Sequence, residues 1–140
     1  MPNKKRVART RNNETWTESQ FWGKIRSALR RVSMYWKPAQ DAKEKARRPF
    51  KGGGRQKWEY QCESCKRCFK GKDVAIDHKT PVGSLRSGDD LKGFVERMFR
   101  ESPNDYQVLC NYKLKDIKKH GGIPSCHYIK SQKEKTTIKR

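Results

Sequence analysis

Val74-Ala75-Ile76-Asp77-His78-Lys79-Thr80-Pro81-Val82 is the stretch from which the rest of the chain can be read. Val-Ala-Ile predicts a short β-strand, because branched apolar side chains suit a pleated, half-buried surface. Pro81 stops it, since proline cannot donate to a strand ladder. The strand ends on an adjacent carboxylate and imidazole, Asp77-His78. Such a pair can hold a metal ion with one side chain and move a proton with the other. Alone, an Asp-His dipeptide is an ordinary surface pair. Here cysteines stand on both sides of it: Cys62, Cys65 and Cys68 before, Cys110 and Cys126 after.

Upstream, Trp58-Glu59-Tyr60-Gln61 predicts a strand running into Cys62-Glu63-Ser64-Cys65, a C-x-x-C knuckle. Two thiols at this spacing are half of a tetrahedral zinc site. The other half would come from Cys110, Cys126, Cys68 or a histidine. A redox C-x-x-C would open a helix after a strand in a βαβ context, which is absent. Downstream, Asp89 or Asp90 can cap a helix with Leu91, Phe94, Val95, Met98 and Phe99 on one face. Ser102-Pro103-Asn104-Asp105 breaks that helix, and Tyr106-Gln107-Val108-Leu109-Cys110 predicts a second short strand. Cys110 ends an apolar triplet, so a buried free thiol is an equal reading of that residue.

Composition explains why a staple is needed. Of 140 residues, 32% are apolar and 36% charged, which leaves material for one small core. No apolar run reaches the length of a membrane span, and the basic N-terminus lacks the apolar segment of a signal peptide. The expectation is a cytoplasmic protein with no membrane partner, in which paired cysteines favour metal over disulfide. The net charge of +20 is uneven: residues 1–50 carry 14 Lys/Arg against 4 Asp/Glu, residues 61–110 carry 9 against 8, and residues 111–140 carry 9 against 2. Basic flanks around a nearly neutral centre suit a polyanion, because each neutralised phosphate releases counterions.

The flanks divide as follows. Residues 1–15 predict a flexible basic arm, and residues 16–50 a helical DNA-contacting extension. Thr17-Glu18-Ser19-Gln20 has capping-box spacing. Phe21, Trp22, Ile25, Ala28, Leu29, Val32 and Trp36 then recur at helical spacing up to Pro38, with Lys24, Arg30 and Arg31 on other faces. A weaker helix is expected from Ala39 to Arg47. Residues 51–56, with Gly52-Gly53-Gly54, predict a hinge, since no Walker-type Lys-Ser/Thr follows. Residues 57–135 form the cysteine-flanked domain and residues 136–140 a basic tail.

The order Cys62-x-x-Cys65, Ile76-Asp77-His78-x-x-Pro81, a helix, Gln107-Val108-Leu109-Cys110, then Cys126-His127-x-x-Lys130 resembles an HNH endonuclease, in particular the small HNH nucleases of bacteriophages. The specific likeness covers residues 58–135. It implies an α+β fold: a small ββα-metal (His-Me finger) core with a zinc knuckle, preceded by the N-terminal amphipathic helix and basic arm. It further implies Asp77 and His127 as ligands of a catalytic Mg²⁺, or of Mn²⁺ or another divalent ion. His78 becomes the general base, an imidazole suiting that role at cellular pH. Asn104, or Asp105 by strict count, braces the loop and orients His78. Cys62, Cys65, Cys110 and Cys126 bind a structural Zn²⁺. The implied partner is double-stranded DNA, in a bacterial host's cytoplasm, with phage packaging proteins as a further class of partner.

The sequence departs from the family at two places, one of them the middle position, which falls on Asn104 or on Asp105. Fifteen residues, 111–125, separate Cys110 from Cys126, where the family has a tight Cys-x-x-Cys-His knuckle. An insertion of this length adds only about 1–2 kcal/mol of closure entropy. Without the insertion, Lys113 and Leu114 would stand where Cys and His belong. Asn111 and His120 are further candidate ligands in a rearranged site. The rival class is a catalytically inactive, zinc-stapled DNA- or RNA-binding module; a ribosome- or RNA-associated zinc protein ranks below it because it leaves Asp77-His78 without a task.

Overall fold

The computed structural model describes residues 6–138, with side chains described through residue 135. The first five residues of the expected arm, and the last two residues and all side chains of the expected tail, lie outside the described residues. The chain is a small α+β protein with short sheets. It forms two compact units, one from the chain up to Trp36 together with Val82–Phe99, the other from Lys37–Pro81 and from Arg100 onward. Among the described residues no helix is long and apolar enough to cross a membrane.

In the first unit, strands β1 (Arg9–Arg11) and β2 (Trp16–Thr17) pair antiparallel and feed helix α1 (Glu18–Ser33). The capping box is formed as its spacing predicts. Gln20 N donates to Thr17 Oγ1 at 3.1 Å and Thr17 N donates to Gln20 Oε1 at 2.9 Å, which satisfies two N–H groups left over at the helix start. Glu18 in the first turn takes Arg11 Nε at 2.6 Å and Trp22 Nε1 at 3.1 Å. The core is Trp22, Leu85, Phe94 and Met98, edged by Phe21, Ile25, Leu29, Val82 and Phe99. Phe94 and Met98 come from helix α3 (Gly88–Met98), four apart on one face as the periodicity predicts.

Three local expectations fail here. Ser87, rather than Asp89 or Asp90, stands at the α3 N-cap; Asp90 instead accepts from Arg86 N at 3.0 Å. Val32 is exposed although it lies within α1, and Trp36 lies past the helix end, edge-on to Phe99 with ring centroids 5.2 Å apart. Pro38 is not the stop of α1 but the second residue of the next helix, where its missing N–H is harmless.

The second unit begins with that helix, α2 (Lys37–Lys45), which buries Ala39 and Ala42 and packs on strand β7 (Tyr106–Cys110). Strands β3 (Arg47–Pro49), β4 (Trp58–Gln61) and β5 (Cys68–Phe69) form one antiparallel sheet. The glycine-rich stretch expected as a hinge is the tip of the β3–β4 hairpin: Pro49 pairs with Trp58, and Phe50 N donates to Lys57 O at 2.9 Å. Gly53 and Gly54 turn the tip at φ of 82° and 79°, conformations that cost little only without a Cβ. Residues 37–49, expected in the N-terminal extension, therefore belong to the sheet-bearing unit.

The decisive strand is β6 (Val74–His78), over the residues the sequence predicts. It pairs antiparallel with β7 from Val74↔Cys110 to His78↔Tyr106, and helix α4 (Cys126–Ile138) packs on β7. Cys62, Phe69, Leu109, Cys110 and Tyr112 form the core of this unit, with Cys65, Val74, Ile117 and Cys126 against it.

Candidate functional site

The cysteines converge from three elements. Cys62 and Cys65 lie in the turn between β4 and β5, where Lys66 N donates to Cys62 O at 2.9 Å and Lys66 itself adopts φ of 64° to close the knuckle. Cys110 ends β7, and Cys126 opens α4. Their four Sγ atoms all lie within 4.8 Å of one another. Sulfurs about 2.3 Å from one tetrahedral zinc stand about 3.8 Å apart, so a small contraction closes the set. These four cysteines could hold a structural zinc ion. Cys62 and Cys110 are fully buried, and Cys65 and Cys126 are half-buried. Cys126 N donates to Cys110 Sγ at 3.3 Å, the type of contact that supports a thiolate ligand.

The thiols differ electrostatically. Burial pushes Cys110 and Cys126 up from their ordinary value. At Cys65 burial acts in the same direction but is outweighed. Hydrogen bonds from the Arg67 backbone and guanidinium, then from Cys62 and Cys126, bring the thiol down to about 7. Bound metal deprotonates all such ligands. Cys68 is exposed on β5 and stands outside the quartet.

The insert, residues 111–125, is what returns Cys126 to Cys110. Asn111 N donates to Asp73 O at 2.6 Å, Tyr112 is buried in the core, and a 3₁₀ helix spans Leu114–His120. Gly121, at φ of 74°, reverses the chain, and buried Ser125 accepts from Ile129 N at 3.1 Å through its carbonyl. Lys113 and Leu114, the ligand positions in a register without insertion, are exposed. His120 is stacked on Tyr112 with ring centroids 3.8 Å apart, a packing role.

A second cluster lies at the other end of β6. Asp77 is largely buried and accepts on Oδ2 from Lys130 Nζ at 2.6 Å and from Gln107 Nε2 at 3.1 Å. Its Oδ1 faces His127 Nε2 at 3.9 Å. Helix geometry explains the company: His127, Lys130 and Glu134 recur at three- and four-residue steps on one face of α4. Lys130 also pairs with Glu134 at 2.6 Å and donates to the His78 carbonyl at 2.9 Å. Burial works against its charge, but the hydrogen bonds it donates to Asp77 and Glu134 outweigh it and raise the pKa.

His78 sits across the ladder from Tyr106, ring centroids 5.0 Å apart. Asp77 and His127 are thus brought together, and His78 adjoins Asp77 at the end of β6 with its ring against Tyr106. Asn104 lies in a 3₁₀ turn (Pro103–Asp105), its N–H donating to Ser102 Oγ at 3.2 Å. It lines a separate cleft with Lys45, Arg48, Lys66 and Lys79. The residue after His78 is tied to Asp105, the other candidate for the middle position, by a backbone bond from Lys79 N to Asp105 O at 3.0 Å. Lys130, Gln107 and Glu134 carry roles that the strand-end motif does not announce. Two signals were present for them: Gln107 faces Asp77 in an antiparallel register, and Lys130 follows His127 at helical spacing. No protein-family model, no curated protein and no solved structure matches this chain.

Proposed function

We propose that this chain is a metal-dependent DNA endonuclease of the HNH type, with a ββα-metal core stapled by zinc at Cys62, Cys65, Cys110 and Cys126. One observation carries the reading: Asp77 on β6 and His127 on α4 approach to 3.9 Å across the fifteen-residue insert. Two ligands about 2.1 Å from one ion can be at most about 4.2 Å apart, so Oδ1 and Nε2 fit a shared Mg²⁺, Mn²⁺ or similar cation. Such a cation, when bound, supplies neutralisation of the phosphodiester's developing charge and of the leaving 3′ oxygen.

The remaining work falls to the chain. Gln107 and Lys130 hold Asp77 Oδ2 and leave Oδ1 turned to His127. The Lys130 bond to the His78 carbonyl fixes the strand end that presents the imidazole. His78 takes the proton from the attacking water. The basic arm, α1 and the tail bind the duplex backbone, sequence-independently. The test is Mn²⁺ binding and plasmid cleavage by the parent and by His127→Ala: the parent binds and cuts, and the variant loses both without losing zinc.

A second reading, a non-catalytic zinc-stapled DNA-binding module, is favoured by the ammonium of Lys130 at 2.6 Å from Asp77, where a cation would otherwise be drawn. It expects salt-sensitive binding and no cleavage with any divalent ion.

A further inference from the structure

We propose that the insert, residues 111–125, forms with the corner at residues 67–72 a second grip on the phosphodiester backbone of duplex DNA. The inference rests on DNA being the substrate, and it gives the departure from the family pattern a function. Between the two segments lies a cleft of about 770 Å³. Arg67, Lys70 and Lys72 line one side and Lys119 the other, against the carboxylates Asp73 and Asp116. All four cations are exposed. The one ion pair among these residues, Lys119–Asp116 at 3.7 Å, is a surface contact of little strength. The insert adds Lys113, Lys115 and Lys118, also exposed, so its own balance is strongly positive.

The insert is built as a rigid wall. Tyr112 stacks on His120 at 3.8 Å and on Phe69 at 5.9 Å between ring centroids. The Tyr112 hydroxyl donates to the Ile123 carbonyl and accepts from Arg67 Nη2 at 3.4 Å, which ties the wall to the opposite corner. This stack also identifies the ligand. Phe69 and Tyr112 are buried and engaged with one another, so they offer no free ring to an unstacked base. Single-strand recognition depends on such platforms. Beside exposed Ile123 and half-buried His120, what the cleft presents outward is cations on a fixed frame, the equipment for phosphates of a duplex without base readout.

The experiment is fluorescence anisotropy of the zinc-loaded protein on a labelled DNA duplex, and in parallel on a labelled single strand and an RNA, across a sodium chloride series with no magnesium or manganese added. Cleavage plays no part in this readout, so loss of the grip and failure of the nuclease reading are distinguishable. The variant Lys70→Gln/Lys72→Gln/Lys119→Gln is expected to flatten the plot of log affinity against log salt by about 2–3, and Lys119→Gln alone by about 1. Affinity at moderate salt falls on the order of tenfold or more in the triple variant. Zinc content and far-UV circular dichroism of both variants should match the parent. An unchanged slope in both variants overturns the proposal. A loss confined to single strands or to RNA overturns it equally, because the cleft would then serve a different partner.

Discussion

Lys130 Nζ lies 2.6 Å from Asp77 Oδ2 and 2.9 Å from the His78 carbonyl, so one ammonium joins helix α4 to both residues at the end of β6. Its partners raise its pKa above the ordinary 10.5 despite burial. A raised cationic pKa contributes stability that is fully present below the unfolded value and is lost as pH rises through the folded one. Lys130→Met should therefore lower unfolding stability by about 1.5–3 kcal/mol at pH 8, the range for a hydrogen bond to a charged group. The difference from the parent should shrink above pH 10.5, measured by urea denaturation at several pH values.

The cysteine quartet makes an uneven set of predictions. Cys126→Ser removes a ligand whose Sγ lies within 4.8 Å of the other three. Zinc content should fall from one per chain to a small fraction, and the second unit should lose cooperative melting, since its core contains Cys62 and Cys110. Cys68→Ser, on an exposed thiol outside the quartet, should leave both unchanged. Zinc by atomic absorption and a thermal melt check the pair.

The capping box can be tested without touching the cysteine quartet or the Asp77–His127 pair. Thr17→Ala deletes the acceptor for Gln20 N at 3.1 Å and should cost about 1 kcal/mol in the first unit. Replacement by Ser should restore most of that. Denaturation followed by tryptophan fluorescence is the readout.

Much of the second unit was legible because its signals are local and mutually consistent. Val74-Ala75-Ile76 and Val108-Leu109 are β-branched or apolar runs with a proline or a polar break beside them, and both strands fall where these signals put them. The cysteines were legible as metal-type ligands by type and spacing, but their union depends on a fifteen-residue insert whose fold rests on nonlocal packing of Tyr112 and His120. The triple glycine misled for a physical reason: flexibility serves a linker and a hairpin tip alike, and only the Pro49–Trp58 pairing separates them. The apolar stripe misled at its end because periodicity carries no stop signal: Val32 is exposed in the last turn of α1, and Trp36 falls past the helix. Lys130 was visible as a residue and invisible as a partner, since its role exists only when α4 lies against β6.

The central claim is that Asp77, His78 and His127 are one catalytic centre, and plasmid nicking tests it most directly. Supercoiled DNA is incubated with zinc-loaded parent and His78→Ala protein, with and without Mg²⁺ or Mn²⁺, while DNA binding is followed in parallel. The account predicts metal-dependent nicking by the parent, abolished by His78→Ala with DNA affinity retained. Cleavage by His78→Ala at the parent's rate, or a parent that binds DNA and cuts with no divalent ion, would contradict it.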